Sequence, residues 1–310
     1  MATVSLVLGS GGARGYAHIG VIEEIERRGY EIICIAGSSM GALVGGVYAA
    51  GGLEAYREWV VGLTKFEIFR LLDVTLTRGA IRGERLFQRL NDMVGDPAIE
   101  DLPLTYTAVA TDIARQKEVW FQSGSLQTAM RASISVPGFF TPYVHENRVL
   151  VDGGVLNPLP IIPTVAAHAD LIIAVDLNAR DPKHDALNLP DNAYLNRSGV
   201  SDSWHLDSVS AAASTNGNGN GNGHASNDAE GQKREPPRVG GRIDILLDSV
   251  EVMQGSLSQY KIAGYPPDLV VPIPHDLCHF FEFYRAEEVI EVGRQITRER
   301  LEALEKGALL

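Results

Sequence analysis

A strand, a glycine-rich turn and a helix follow one another twice within the first fifty residues. The apolar runs TVSLVL at 3–8 and EIICIA at 31–36 predict two buried strands. Apolar residues recur at helical spacing between positions 19 and 25, and Gly29 stands where a left-handed helix end favours glycine. Strands separated by a helix pair in parallel with a right-handed crossover. The pattern therefore predicts an α/β fold, a three-layer α/β/α sandwich with a mainly parallel central sheet.

Later segments continue this alternation. Further strands are predicted at 105–113, 117–124, 149–154, 169–177 and 268–273, and helices within 56–92 and at 125–133, 242–264 and 286–307. Residues 198–240 include NGNGNGNGHASNDAEGQKREPP, whose few apolar side chains cannot offset the entropy of ordering, so we expect a disordered low-complexity insertion there. The strands after it are too few for a separate core. Residues 1–310 are accordingly predicted to form one interrupted domain.

Charge and cysteine content narrow the classes of function. The formal net charge of -12 argues against a nucleic-acid partner and against steady docking on an anionic bilayer. Two distant cysteines, Cys34 and Cys278, suit a reducing compartment. The first apolar stretch is too short for a signal peptide, and no run of about 18 apolar residues occurs. We expect a cytoplasmic protein, and the sequence does not indicate its oligomeric state.

The segment Gly37-Ser38-Ser39-Met40-Gly41 fits the G-x-S-x-G pattern and lies between a predicted strand and a predicted helix. That context is typical of a nucleophile elbow, where a sharp turn lifts the serine above the sheet edge and the glycines avoid Cβ clashes. The following helix N-terminus favours developing negative charge. Ser39 is therefore the candidate nucleophile, against the alternative of a tight glycine turn in the core.

A second glycine-rich loop, residues 9–15 (GSGGARG), also follows a strand and precedes a helix. Its backbone N–H groups can converge on an anion, so the loop is either a phosphate cradle or an oxyanion hole. A dinucleotide site would need an acidic residue after the second strand, where this chain has GSSMG. Its glycine spacing is also imperfect, which disfavours the dinucleotide site.

A serine nucleophile needs a base, and Asp112, Asp152 and Asp176 lie near predicted strand ends. Asp152 stands out because Gly153 and Gly154 allow a sharp turn that leaves its carboxylate at the sheet edge. Each aspartate could instead be a turn residue bonded to nearby backbone.

Four motifs in order, GSGGARG, GSSMG, ASISVPGFFTP and VDGG, resemble the patatin-like phospholipases, specifically their short single-domain bacterial branch. The resemblance runs from about Val4 to the last helix and omits only the low-complexity segment. It implies the three-layer α/β/α fold and a serine acyl-ester hydrolase acting on phospholipids, lysophospholipids or short acyl esters. It implies no cofactor and no metal, with transient membrane-surface contact as a further expectation.

The resemblance also implies residue roles. Ser39 would be the nucleophile and Asp152 the base of a two-residue dyad, and the N–H groups of Gly11 and Gly12 would form the oxyanion hole. Arg14 would hold that loop or the anion, and Gly37 and Gly41 would flank the elbow. Ser10 departs from the family pattern, which has glycine there.

Two other functions remain open. One is a Ser-His-Asp esterase, although its elbow would follow more strands and its histidine would come late in the chain. The other is a regulatory module that keeps the fold and binds a partner, although a binder has no need of Ser39, Asp152 and the glycine loop together. Residues 59–72 are bulky and apolar, and core packing is favoured there over a lid or lipid-contact surface.

Overall fold

One eight-stranded sheet crosses the computed structural model, which describes residues 1–71, 83–179 and 242–307. Its order is β5-β6-β3-β2-β1-β7-β8, and β4 also pairs with β3. The strands are β1 Thr3–Leu8, β2 Glu31–Ser38, β3 Thr105–Asp112, β4 Lys117–Phe121, β5 Tyr143–His145, β6 Arg148–Asp152, β7 Leu171–Ala179 and β8 Leu269–Pro274. The expected disordered segment 198–240 lies outside the described residues, so that expectation and the single-domain assignment stay predictions.

Five strands form a parallel core, because β1 pairs in parallel with β2 and β7, β2 with β3, and β7 with β8. The remaining strands join antiparallel at the β3 side. A mainly parallel sheet is thereby confirmed. The sequence analysis missed β5, which forms a hairpin with β6 across Glu146 and Asn147. Both turn residues have positive φ, and no glycine marks the turn.

Helices cover both faces of this sheet, because β1 carries apolar side chains on both of its faces. Val4, Leu6 and Leu8 pack in the large core with the first helices, whereas Val7 joins a smaller core on the other face. The α/β/α layering is thereby confirmed. The helices are α1 Ala17–Arg27, α2 Met40–Ala49, α3 Leu53–Val61, α4 Lys65–Leu71, α5 Glu84–Val94, α6 Leu126–Ser133, α7 Ile162–Val165, α8 Arg242–Gly264 and α9 Ala286–Glu305.

The parallel strands end at one edge of the sheet. There β1 leads into the loop 9–11 and a 3-10 turn, Gly12–Tyr16, and β2 leads directly into α2. Loops after the carboxyl ends of parallel strands are where α/β folds place their sites. This edge therefore brings together the two glycine-rich motifs.

Candidate active site

Ser39 occupies the turn between β2 and α2 with φ 56° and ψ -125°. A non-glycine residue rarely adopts this conformation, which costs on the order of 1–3 kcal/mol and is found mainly at functional sites. The flanking glycines are required by space. A Cβ on Gly41 would lie 2.0 Å from the Leu8 carbonyl oxygen, and one on Gly37 would lie 2.4 Å from the Gly41 backbone. Ser39 thus lies in a sharp, sterically confined turn between a strand and a helix.

Strand β3 explains how Asp152 reaches this elbow. Residues 105–109 of β3 pair with β2, which ends at Ser38 opposite Val109. The next β3 residue, Ala110, pairs with Asp152 at the end of antiparallel β6. Since β4 occupies the other edge of β3 over the shared residues, β2 and β6 lie along the same edge and meet end to end. The carboxyl ends of both strands therefore converge, which places Asp152 beside Ser39.

The Asp152 carboxyl group is buried and incompletely bonded. Its Oδ1 accepts a hydrogen bond from the Gly154 N–H at 2.7 Å, whereas Oδ2 has no hydrogen-bond partner among the described residues. Burial raises the pKa of Asp152 to about 7, and the Ser39 hydroxyl and Gly154 N–H oppose that shift. A buried, unpartnered carboxyl oxygen is costly in a structural role. It suits a group that exchanges a proton with its neighbour.

The other two candidate aspartates are bonded elsewhere. Asp112 accepts from the N–H groups of Ala114 and Arg115 and pairs with the Arg115 guanidinium at 2.7 Å, which lowers its pKa. Asp176 is buried, which raises its pKa, and its Oδ1 accepts from the Asn178 N–H at 3.0 Å. Asp152, by contrast, is an aspartate whose pKa burial raises and the Ser39 hydroxyl lowers. Asp112 fits the turn-forming alternative considered for each aspartate.

The glycine-rich loop runs beside the elbow. The N–H groups of Ser10, Ala13 and Arg14 donate to backbone carbonyls, and no acceptor is found in the described part of the chain for those of Gly11 and Gly12. Gly12 lines the same pocket as Ser39 and has a φ of +56°; a Cβ there would lie 2.6 Å from the Phe280 carbonyl oxygen. These two N–H groups are the loop's available donors for an anion.

The Arg14 side chain connects the glycine-rich loop to distant parts of the fold. Its buried guanidinium donates to the carbonyl oxygens of Leu177, His275 and Cys278 at 3.0 to 3.2 Å, and forms an ion pair with Glu251 of α8 at 3.0 Å. Arginine suits this position because its planar group presents several donors at once. Of the two roles considered for Arg14, these contacts favour holding the loop.

His18 lies below this loop on α1. Its Nε2 is 2.9 Å from the Gly9 carbonyl oxygen and must donate, so Nδ1 carries no proton and has no described partner. Burial lowers the pKa of His18 to about 4, which keeps the ring neutral near pH 7. Its contact with Gly9 gives His18 a supporting position under the loop.

Two serines missed as site residues bind the backbone N–H groups of Ser39 and Asp152. Ser133 Oγ accepts from the Ser39 N–H at 2.9 Å and donates to the Val109 carbonyl at 2.6 Å. The Ser135 carbonyl accepts from the Asp152 N–H at 2.9 Å. Both serines belong to the ASISVPGFFTP motif, which entered the sequence analysis only as part of the family resemblance. The motif therefore fixes the backbones of Ser39 and Asp152.

An open pocket has Ser39 in its lining. Its wall is apolar and contains many aromatic side chains. Helix α3 contributes Trp59, the loop after it contributes Leu63, and α4 contributes Ile68 and Leu71. The prediction that residues 59–72 are mainly core packing is thus incomplete, because part of this segment forms the pocket wall. The full lining is Gly12, Tyr16, Ser39, Met40, Leu43, Tyr56, Trp59, Leu63, Ile68, Leu71, Leu86, Ile134, Val136, Phe140, Phe280 and Phe283.

The part of the chain that contains these motifs matches the sequence model of a known protein family. The sequence model of the patatin-like phospholipases matches residues 6–165, just over half of the chain. The chain belongs to the patatin-like phospholipase family. The matched range contains the glycine loop, Ser39, the ASISVPGFFTP motif and Asp152. A lipid ester hydrolase is the activity that this family suggests.

Relatives of similar length occur in mycobacteria. Uncharacterized NTE family proteins of Mycobacterium tuberculosis and Mycobacterium bovis are 44% identical over 332 aligned positions, covering 97% of this chain and 92% of theirs. The neuropathy target esterase sws of Drosophila melanogaster is 34% identical over 187 residues, 58% of this chain and 13% of that protein. VipD from Legionella pneumophila matches with a TM-score of 0.38 and 15% identity over 63% of this chain and 53% of that one.

The described ranges contain neither a membrane-spanning helix nor a metal-binding cluster. Within residues 1–71, 83–179 and 242–307, no helix has the length and apolar character needed to cross a bilayer. Those residues also contain no group of three or more His, Cys, Asp or Glu side chains arranged for a metal ion.

Proposed function

We propose that this patatin-like protein is a serine acyl-ester hydrolase acting on lipid esters through a Ser39/Asp152 dyad. The observation that carries the proposal is the buried Asp152 carboxyl, whose Oδ2 accepts no hydrogen bond of ordinary geometry from a described residue, beside the strained Ser39 in the lining of an apolar pocket. A general base, a nucleophile and two available N–H donors are the components that acyl transfer requires.

The reaction follows from these positions. Asp152 accepts the Ser39 hydroxyl proton as Oγ attacks the ester carbonyl carbon, and the N–H groups of Gly11 and Gly12 donate to the resulting oxyanion. Collapse breaks the bond to the alcohol oxygen, which takes the proton from Asp152 and leaves an acyl-Ser39 ester. Asp152 then removes a proton from water, whose oxygen attacks the acyl carbon. Collapse releases the carboxylic acid and returns the proton to Ser39.

The pocket wall supports a lipid acyl group as the part of the substrate that is bound. Its aliphatic and aromatic side chains offer burial to a hydrocarbon chain, worth about 0.8 kcal/mol for each CH₂ group removed from water. The mechanism uses no cofactor or metal. A cytoplasmic location remains our prediction.

The histidine-dependent esterase is less well supported. The buried His18 donates its Nε2 proton to the Gly9 carbonyl oxygen, whereas the Ser39 hydroxyl acts on the pKa of Asp152. A binding module that retains the fold is also less well supported, because the buried Asp152 carboxyl and the Ser39 conformation both carry an energetic cost.

A fluorophosphonate probe tests the proposed nucleophile. We expect one covalent adduct per chain, located at Ser39 by peptide mass spectrometry, because a serine at an elbow beside free N–H donors is activated. Incubation with esters of graded acyl length should release free acid. Labelling that persists when Ser39 is replaced by alanine would contradict the assignment. Ser249→Ala, which changes an exposed serine of α8, provides a second serine variant in which labelling should remain.

The pH dependence of kcat/KM should follow the Asp152 carboxyl. Since burial raises its pKa to about 7, the base is protonated below that pH and the rate should fall about tenfold per pH unit, reaching roughly 100-fold at pH 5. Above pH 7 the rate should level off. Initial rates on a dissolved short-chain ester between pH 5 and 9 provide the measurement, and an acid limb near pH 4 would indicate an ordinary, solvent-exposed carboxylate instead.

A further inference from the structure

Helix α4, Lys65–Leu71, is apolar on two faces. Ile68 and Leu71 contribute to the pocket that has Ser39 in its lining. Phe66 and Phe69 lie on another face, with 73% and 40% of their surface exposed. A surface helix in a globular protein normally has one apolar face, directed to the core. The second face of α4 therefore requires an explanation outside the core.

The charge around these rings differs in sign from the charge of the whole chain. Exposed residues in α4 and α5, Glu84–Val94, include four basic side chains, Lys65, Arg70, Arg85 and Arg89. The same two helices hold three exposed acidic side chains, Glu67, Glu84 and Asp92. The local balance is thus positive, whereas the chain as a whole has a net charge of -12.

Contacts hold the basic side chains of these two helices close to the rings. The Arg85 guanidinium donates to the Arg70 carbonyl at 3.2 Å, which joins the start of α5 to the end of α4. Lys65 lies 4.1 Å above the Tyr284 ring, which fixes the start of α4 against the segment that follows β8. Arg89 is one helical turn beyond Arg85 and lies on the same side of α5. Apolar rings and cations therefore occupy one surface.

We propose that this α4 surface, made of Phe66, Phe69 and the four basic side chains, docks the enzyme on a phospholipid bilayer. The inference rests on the proposed lipid hydrolase and names where that hydrolase meets its substrate. Aromatic rings with nearby cations match the acyl boundary and the phosphate groups of a bilayer surface. The net charge of -12 disfavours docking of the chain as a whole on an anionic bilayer, but the charge that would face a bilayer at α4 is positive.

Continuity with the pocket favours a bilayer over a protein partner. The same helix that presents Phe66 outward supplies Ile68 and Leu71 to the pocket wall. A bilayer docked at α4 would therefore lie one helix away from the pocket that contains Ser39. A protein partner at this position would instead cover the helix that forms the pocket wall.

Vesicle flotation tests the docking surface with Ser39→Ala protein, which cannot consume the lipid. Vesicles of phosphatidylcholine with about one third phosphatidylglycerol should bind this protein, more weakly at high salt. Adding Phe66→Ser and Phe69→Ser should lower the partition coefficient by about 10- to 100-fold, since two rings lose their insertion into the bilayer. The matched control is Val252→Ser with Tyr260→Ser on α8, two residues that are 64% and 75% exposed on the other face of the sheet. The control should bind like the parent.

Activity separates docking from chemistry. In the active enzyme, Phe66→Ser with Phe69→Ser should reduce hydrolysis of vesicle lipid by a similar factor and leave hydrolysis of a dissolved short-chain ester within about twofold. The docking surface would be overturned if the Phe66/Phe69 variant bound vesicles as well as the parent does. It would also be overturned if no form of the protein bound vesicles. A dimer that these substitutions dissociate, without vesicle binding, would assign the surface to a second copy and also overturn it. Absent ester hydrolysis with intact vesicle binding would reject the proposed function alone.

Discussion

Replacing Asp152 by asparagine is expected to lower kcat by about 10⁴-fold or more, the usual loss when a catalytic base is removed. Asparagine retains the shape of the side chain and can still accept from the Gly154 N–H, but it cannot take the Ser39 proton. Steady-state rates on a dissolved short-chain ester provide the measurement. Asp112→Asn is the matched control, because Asp112 is also buried at a strand end but is bonded to Arg115.

The stability of this variant distinguishes a chemical defect from misfolding. A carboxyl whose pKa is raised from 3.8 to about 7 binds its proton more tightly in the folded state, so its favourable effect is complete below pH 4 and is lost as the pH rises to 7. Asp152→Asn should therefore gain unfolding free energy relative to the parent across that range, by up to about 4 kcal/mol at pH 8. Urea unfolding at pH 4 and pH 8 measures it.

Two outcomes would reject this assignment of the base. Nearly full activity in Asp152→Asn would redirect the search to Asp176. A folded histidine variant as inactive as Asp152→Asn, among His18→Gln and single alanine replacements of His145, His168, His275 and His279, would make an imidazole the base. Circular dichroism establishes that each variant is folded before its rate is compared.

Replacing Ser39 by alanine or by glycine should abolish turnover equally, again by about 10⁴-fold or more, because both changes remove the nucleophilic oxygen. Their stabilities should differ. Alanine must retain the φ of 56° and its strain, whereas glycine adopts that conformation readily. We expect the glycine variant to be more stable than the alanine variant by about 1 kcal/mol, after the larger unfolded-state entropy of glycine is included.

Urea unfolding of the two inactive variants gives this difference directly, without any contribution from substrate. If alanine were as stable as glycine at position 39, the elbow would not be strained and its cost could not support the assignment of a functional turn. Residual turnover above about 1% of the parent in either variant would place the nucleophile elsewhere.

Local sequence patterns were sufficient to predict the parallel core and the elbow. Strand periods, Gly29 and the G-x-S-x-G spacing each depend on conformations within a few residues, and such signals are readable from one sequence. The end-to-end meeting of β2 and β6 is different, because it depends on how far β3 extends beyond Ser38. That register is set by pairing between distant segments. The glycines after Asp152 made it the leading candidate for the base, but its position beside Ser39 could be seen only in the fold.

Side-chain partners over long distances were the least predictable part. The donors on Arg14 bind carbonyl oxygens and a carboxylate 163 to 264 residues away, and nothing in GSGGARG specifies those partners. Ser133 and Ser135 were not recognised as site residues, because a serine that binds a backbone N–H group has no distinctive spacing in the sequence. Residues 59–72 were ambiguous for a related reason, since a pocket wall and a core have the same composition.

The distant partners of Arg14 set an order of events during synthesis. A nascent chain that has emerged only as far as β7 already contains Ser39 and Asp152, but it lacks Glu251 and the carbonyl groups of His275 and Cys278. The glycine loop then has a guanidinium beside it with most of its acceptors missing. The contacts that fix this loop are complete only after the segment through Cys278 has been made. Synthesis therefore delivers the proposed nucleophile and base before the acceptors that fix the proposed anion site.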